Sequence, residues 1–499
     1  MRTIGVCAAI DHSFGVEVET HLESPQGSPQ RSADLKAPGG YDSPLNRRPP
    51  GKVAFGQVHW EQALPISRQD RSGCQITPDR DYVIGPGCPR VGEPEHTGFG
   101  FDRQVGTFQR DATLPVVASS DGADSRMKAV VIGGGIAGIS AAFHLARSGV
   151  DVAVLEQEST LAFHSTGRSA ALYFEKYGVE PNRALTRSSR EFFENPPVGL
   201  LDHLVLTRRG VLWVGRPDQV TSLRELVPRP DSSDPARWLD PDEAIALIPV
   251  LRPDLLGGAV WEPEALDLDV AAIHQGFVRG LRSAGASIVA SCRVSTLRHR
   301  NGRWLVGADE RQFEADVLVN AAGAWCDRVG ALAGAMTIGL TPMRRTAFTV
   351  PGNDAWTGWP LICNVDNEFY VRPDGSQLLC SLAEENPTEP CDARPDQIDV
   401  ALAIDRINTH TTLDIRVVRS SWTGLRSFVA DRAMVIGFDP VAPNFFWLAG
   451  QGGTGIQTAP AAGELTAALI TTGKPPERLL EFGVDTGALS PTRLQGQSR

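Results

Sequence analysis

Residues 127–156, MKAVVIGGGIAGISAAFHLARSGVDVAVLE, constrain this chain more than any other stretch. KAVVIG is a continuous apolar run of strand length, IAGISAAFHLARSG reads as a helix rich in small residues that stops at Gly149, and VDVAVLE is a second buried strand. Strand, helix and strand in that order make a βαβ unit and set the class as α/β. Gly133, Gly135 and Gly138 form G-x-G-x-x-G at the first turn. The first glycine permits the tight turn, the second lets backbone approach a pyrophosphate, and the third lets the helix pack close to the sheet. Phosphates would sit at the positive helix N-terminus. Glu156 lies 18 residues beyond Gly138, near the spacing of about 20 at which an acid accepts hydrogen bonds from an adenosine ribose. Set between two strands, a helix and an acid, the pattern points to a dinucleotide cofactor.

What precedes Met127 is of a different kind. Stretches such as LESPQGSPQRSADLKAPGGYDSPLNRRPPGK are rich in Pro, Gly, Ser and charge and lack helical or alternating periodicity. The methionines are Met1, Met127, Met336, Met343 and Met434, so Met127 is the first internal candidate for a start. Residues 1–126 are expected to be a disordered extension or sequence upstream of a true start at Met127, with a folded regulatory domain as the third reading. The net charge of −11 argues against nucleic acid and anionic membranes as partners. Eight cysteines without C-x-x-C pairing or metal-ligand spacing read as free thiols and suggest a cytoplasmic protein without a metal site, and no stretch reaches the length of a membrane span.

NAD and FAD share the glycine fingerprint, so later segments must decide. HSTGRSAA (164–171) follows the second strand, where main-chain donors could reach a flavin's ribityl chain and pyrophosphate. DVLVNAAGAWCD (316–327) is another buried strand running into small residues, and FFWLAGQGGTGIQTAPAAGELTAALI (445–470) reads as strand, glycine loop and helix. These segments, with SWTGLRSFVAD (421–431) and LSPTRL (489–494), resemble the D-amino-acid oxidase superfamily of FAD enzymes, and among them the D-arginine dehydrogenase-like branch. The resemblance runs over about 127–494. It implies a discontinuous Rossmann-type FAD-binding domain (about 127–205, 268–340 and 425–485) and a mixed-sheet α+β substrate domain (about 206–267 and 341–424).

Carried onto this chain, the resemblance implies non-covalent FAD. Gly133, Gly135, Ala137 and Gly138 would meet the pyrophosphate, Glu156 and Gln157 the adenosine, and Val294 the adenine. Ser165, Thr166, Gly167, Arg168, Ser169, Ala170, Ala171 and Leu172 would serve the flavin side. Ala322, Gly323 and Trp325 would line the cofactor's path, with Gly453, Thr454, Gly455 and Ile456 at the last helix, whose positive end favours negative charge on a reduced flavin. Arg345 and Arg426 would clamp a substrate carboxylate in the bidentate manner of guanidinium, with Tyr370 as a further donor and Tyr177 on a lid. His144 and His274, inside helices, read as packing or surface residues.

The implied reaction is oxidative deamination of a D-amino acid to a 2-oxo acid and ammonia, with hydride passing from Cα to flavin N5. The electron acceptor stays open between oxygen, a quinone and an electron carrier. Relatives that prefer arginine carry a histidine where this chain has Leu172 and a glutamate where it has Val211. A buried cation without its carboxylate is costly, so Val211, Leu361 and Cys363 imply neutral or apolar side chains unless Glu175 supplies the missing charge. A 2-hydroxy-acid dehydrogenase, an N-methylglycine-type oxidase and a flavin-binding module without turnover are the alternatives.

Overall fold

The apolar run Lys128–Ile132 lies at the centre of a six-stranded sheet, hydrogen-bonded on both sides to parallel neighbours, Asp151–Leu155 and Val317–Asn320. Such a strand must bury both faces, and it does: Ala129 and Val131 enter one core, Val130 and Ile132 the other. Ser287–Val289 extends the sheet beyond Asp151–Leu155, and Phe445–Ala449 extends it beyond Val317–Asn320. Val435–Phe438 closes that edge antiparallel. The structure, a computed structural model, describes residues 126–228, 232 and 234–496. The expectations for residues 1–125 therefore lie outside the described residues.

Two helices share one face of this sheet. Ile136–Arg147 follows the central strand, and Gly455–Thr471 follows Phe445–Ala449. Gly463 lets them touch, since a Cβ there would lie 2.3 Å from Ser140 Oγ. That hydroxyl donates to Ala459 O at 2.6 Å. Because both preceding strands run parallel, both glycine loops leave the sheet at its carboxyl edge, where ligands of open α/β sheets bind.

The second sheet is mixed. Its order is Asn386–Pro387, Thr341–Pro351, Gln377–Ser381, Tyr370–Asp374, Leu361–Asn364, Val211–Gly215, Gly258–Glu262 and Arg237–Leu239, with Ser420–Phe428 also paired to Thr341–Pro351. Leu361–Asn364 and Val211–Gly215 are parallel, and the other pairs are antiparallel. Alternation along Thr341–Pro351 sends Phe348 and Val350 into a core shared with Ile404 and Ile407 of the helix Gln397–His410. Residues 206–215 form two strands, Leu206–Arg208 and Val211–Gly215, rather than one. Gly210 (φ +71) lies at the break, and a Cβ there would meet the Trp261 ring at 2.1 Å. The piece before the break, Leu206–Arg208, joins Leu266–Leu268 and Leu172–Tyr173 in a small separate sheet. No described helix is long and apolar enough to cross a membrane.

Candidate functional site

The carboxyl edge of the parallel sheet and one face of the mixed sheet enclose a cavity of about 620 Å³. Its first wall is backbone. Gly133 has φ +115, and a Cβ there would lie 2.4 Å from Ala321 O; one on Gly138 would lie 2.0 Å from Gly133 O. The first and third glycines are thus demanded by packing, while Gly135 and Ala137 open on the cavity. Gly135 at the N-cap of the helix they start offers no side chain, and the first turn holds no acid; Thr166 Oγ1, from the next loop, accepts the Ile136 N–H at 3.0 Å. The Gly134 peptide is held from both sides. Its N–H donates to Glu156 Oε2 at 2.7 Å, and its carbonyl accepts from His274 Nε2 at 3.0 Å. With the carbonyl as its partner, Nε2 must carry a proton, so His274 fixes this loop rather than merely filling space. Burial lowers its pKa, against the pull of that hydrogen bond. Glu156 Oε1 also accepts the Glu158 N–H at 2.9 Å, which leaves each carboxylate oxygen a lone pair.

The second wall is made of side chains. Arg345 pairs across the sheet with Gly424, and Arg426 sits two residues further along that partner strand, so alternation puts both guanidiniums on the cavity face. Arg345 Nε donates to Glu384 O at 2.7 Å and Nη2 to Glu385 Oε1 at 3.3 Å. Burial, and then the neighbouring Arg426, lower the Arg345 pKa. For Arg426, burial pulls the same way, but Tyr177, Tyr370, Glu385 and Glu384 more than offset it and hold the pKa above its ordinary value. Arg426 Nη1 donates to the Tyr177 hydroxyl at 3.1 Å. Gly453 makes room for that meeting, since a Cβ there would lie 2.7 Å from Tyr177 Oη and 3.2 Å from Arg426 Nη1. Desolvated guanidiniums with so few protein acceptors favour an incoming anion.

The segment expected to be a lid is a turn tied at several points. Phe174 N–H donates to Gln457 Oε1 at 2.9 Å, and Lys176 pairs with Glu262 and Asp234. Glu175 turns away from the cavity, accepting from the Tyr173 hydroxyl at 2.7 Å and Arg190 at 3.3 Å. It therefore does not replace the missing acid at Val211. Val211, buried Cys363 and Leu361 do line the cavity, within one cluster that also holds Leu172, Phe174, Trp213 and Tyr370. Burial pushes the Cys363 thiol up to about 12.

The model of the family described as "DAO: FAD dependent oxidoreductase" matches residues 128–469. The chain belongs to this family of FAD-dependent oxidoreductases. Among curated proteins it is similar to mouse (Mus musculus) mitochondrial sarcosine dehydrogenase, 23% identical over 72% of this chain and 41% of that one. Glycine oxidase of Bacillus licheniformis is 26% identical over 69% of this chain and 93% of its own length. Glycine oxidase from Geobacillus kaustophilus shares the fold, with a TM-score of 0.63 at 22% identity over 74% of this chain and 99% of that chain. This chain spans less than half the length of the mouse sarcosine dehydrogenase and of the mouse pyruvate dehydrogenase phosphatase regulatory subunit, 41% and 46%.

FAD is the cofactor of this DAO-family chain, and the backbone wall fits it. Two helix starts with no acid in their first turns face one cavity, with Gly135 and Gly453 beside them. Of the residues expected around the cofactor, Ser165, Thr166, Arg168, Ser169, Ala170, Ala171 and Leu172 line this cavity, as do Gly323, Gly453, Gly455 and Ile456. Gly133, Gly138, Glu156, Gln157, Gly167, Val294, Ala322, Trp325 and Thr454 do not line it. Trp325 instead packs on His164, ring centroids 4.6 Å apart, and buried Thr454 donates to Gln451 O at 2.9 Å. Arg168 turns its guanidinium onto Ala393 O, Thr423 O and Asp392, so it joins the two walls rather than offering charge to the cavity. Arg345, Arg426, Tyr370 and Tyr177 all reach the cavity. Sequence reasoning missed Trp213, Glu385 and Arg432. Trp213 was within reach, because strand alternation puts it on the same face as Val211.

Proposed function

We propose that this chain oxidises the Cα–N bond of a small α-amino acid whose carboxylate is held by Arg345 and Arg426. The observation that carries this reading is the convergence of two desolvated guanidiniums and the Tyr177 and Tyr370 phenols on the cavity that the glycine-loop wall closes from the other side. The division of labour proposed for the chain assigns about 127–205, 268–340 and 425–485 to the cofactor and about 206–267 and 341–424 to the substrate. Bound FAD supplies the acceptor for two electrons from the substrate. The two guanidinium forks orient the carboxylate, and so fix which face of Cα is presented. Val211, Leu361 and Cys363 with Trp213 and Phe174 exclude water and favour a neutral side chain. Among the described residues lining the cavity there is no histidine or lysine, and its two carboxylates are already partnered, Asp366 by Gln219 and Glu385 by Arg345 and Arg432. Loss of the ammonium proton is therefore assigned to solvent.

The configuration we propose is D, and the product is an imino acid that water converts to a 2-oxo acid and ammonia. Similarity to sarcosine dehydrogenase and glycine oxidase favours a second reading, an N-methylglycine-type substrate held by the same clamp. Anaerobic bleaching of the flavin by a panel tests both: D- and L-leucine, D-methionine, D-arginine, glycine, N-methylglycine and 2-hydroxy acids. Bleaching by neutral D-amino acids ahead of D-arginine is the expected result, and bleaching by N-methylglycine or glycine alone selects the second reading. Response to 2-hydroxy acids only, or to none of the panel, would sink amine oxidation and leave a hydroxy-acid enzyme or a flavin-binding module.

A further inference from the structure

Six charged side chains among the described residues line the cavity: Arg168, Arg345, Arg426 and Arg432 against Asp366 and Glu385. Two are committed elsewhere. Arg168 is spent on Asp392 and two carbonyls, and Asp366 accepts from Gln219 Nε2 at 2.7 Å. What remains is three guanidiniums facing one carboxylate. Glu385 Oε1 lies 3.3 Å from Arg345 Nη2 and 2.9 Å from Arg432 Nη2, and its Oε2 lies 3.0 Å from the same Arg432 nitrogen. Arg432 itself is fixed: its guanidinium stacks 3.8 Å over the Phe428 ring, and its carbonyl accepts from Asn182 Nδ2 at 3.2 Å.

We infer that Glu385 is a specificity-determining residue, an anion supplied by the protein in the place where a second substrate carboxylate would pair. The inference rests on the clamp reading above. Arg345 and Arg426 take the first carboxylate of a ligand, while Glu385 already occupies Arg432 and leans on Arg345. A second carboxylate entering there loses Arg432 as a partner and meets the like charge of Glu385, which disfavours it. The site is thereby reserved for monocarboxylates, and acidic amino acids are excluded by charge rather than by size. Removing that charge frees Arg432, a planar donor suited to carboxylate.

The test uses the FAD-loaded protein and two ligands of matched chain length, butyrate and succinate, with dissociation constants read from the perturbation of flavin absorbance. Glu385→Gln should move the ratio of the two constants at least about tenfold toward succinate, the scale of one hydrogen bond to a charged group. Glu385→Asp keeps the charge and should keep the wild-type preference. Arg432→Met should move the ratio the other way, since it leaves Glu385 unpaired, and it supplies the answer if Glu385→Gln does not fold. An unchanged ratio in Glu385→Gln, with butyrate still binding, overturns the inference and leaves the clamp standing. Failure of both ligands to perturb the wild-type flavin overturns the clamp and this inference with it.

Discussion

On the parallel sheet the cavity wall is largely backbone, formed at Gly135 and at two helix starts without acids, behind which Gly133 and Gly138 allow the loop, strand and helix to pack closely. On the mixed sheet the wall is side chains, with Arg345 and Arg426 diagonal to each other and an apolar row at Val211, Leu361 and Cys363. We propose that the first surface meets the cofactor's pyrophosphate through backbone whose close packing leaves no room for a Cβ at Gly133 or Gly138. The second encodes its preference in exchangeable side chains. Substitutions on the mixed sheet should therefore move substrate preference and leave the cofactor alone, and those around the glycine loop should do the reverse.

The largest expected effect lies on the side-chain wall. Arg345→Met should lower kcat/KM for a neutral D-amino acid by about 10- to 100-fold, since a hydrogen bond to a charged group is worth about 1.5 to 3 kcal/mol. The flavin absorbance spectrum should stay that of the wild type, and steady-state kinetics beside that spectrum check both parts. Val211→Glu comes next. It places a carboxylate within the apolar row and should raise the ratio of kcat/KM for D-arginine over D-leucine about tenfold, read by competing the two substrates.

His274→Leu acts on the other wall. Losing one hydrogen bond to the Gly134 carbonyl costs about 1 kcal/mol, so FAD should bind about fivefold more weakly. The dissociation constant for FAD would be read by flavin fluorescence, with butyrate affinity of the loaded protein unchanged and His274→Gln partly restoring the cofactor. A loss of thermal stability in the protein stripped of FAD, with no change in FAD affinity, would make His274 a packing residue after all. The smallest effect is expected from a chain begun at Met127, whose FAD affinity and turnover should match those of the full chain, because among the described residues every strand of both sheets begins at or after Lys128.

The same contrast explains what the sequence disclosed. The glycine loop was legible because its signal is local: strand, turn, helix and acid fall within about 30 residues. Arg345 and Arg426 carry no local signature and emerged only through resemblance, because the strand pairing that makes them neighbours brings together residues 81 positions apart in the chain. Glu385 was invisible for a similar reason. It lies in the loop after the strand Gln377–Ser381, and its two arginine partners lie 40 and 47 residues away. His274 was read as packing because its partner is a backbone carbonyl 140 residues distant, which no side-chain pattern marks.

The claim that the two walls act separately is tested most directly by Arg426→Met, titrated once with FAD and once, when loaded, with butyrate. An FAD dissociation constant within about twofold of wild type and a butyrate constant weakened at least about tenfold are expected. Weakened FAD binding with butyrate affinity intact would contradict that separation, and would place Arg426 with the cofactor rather than with the substrate.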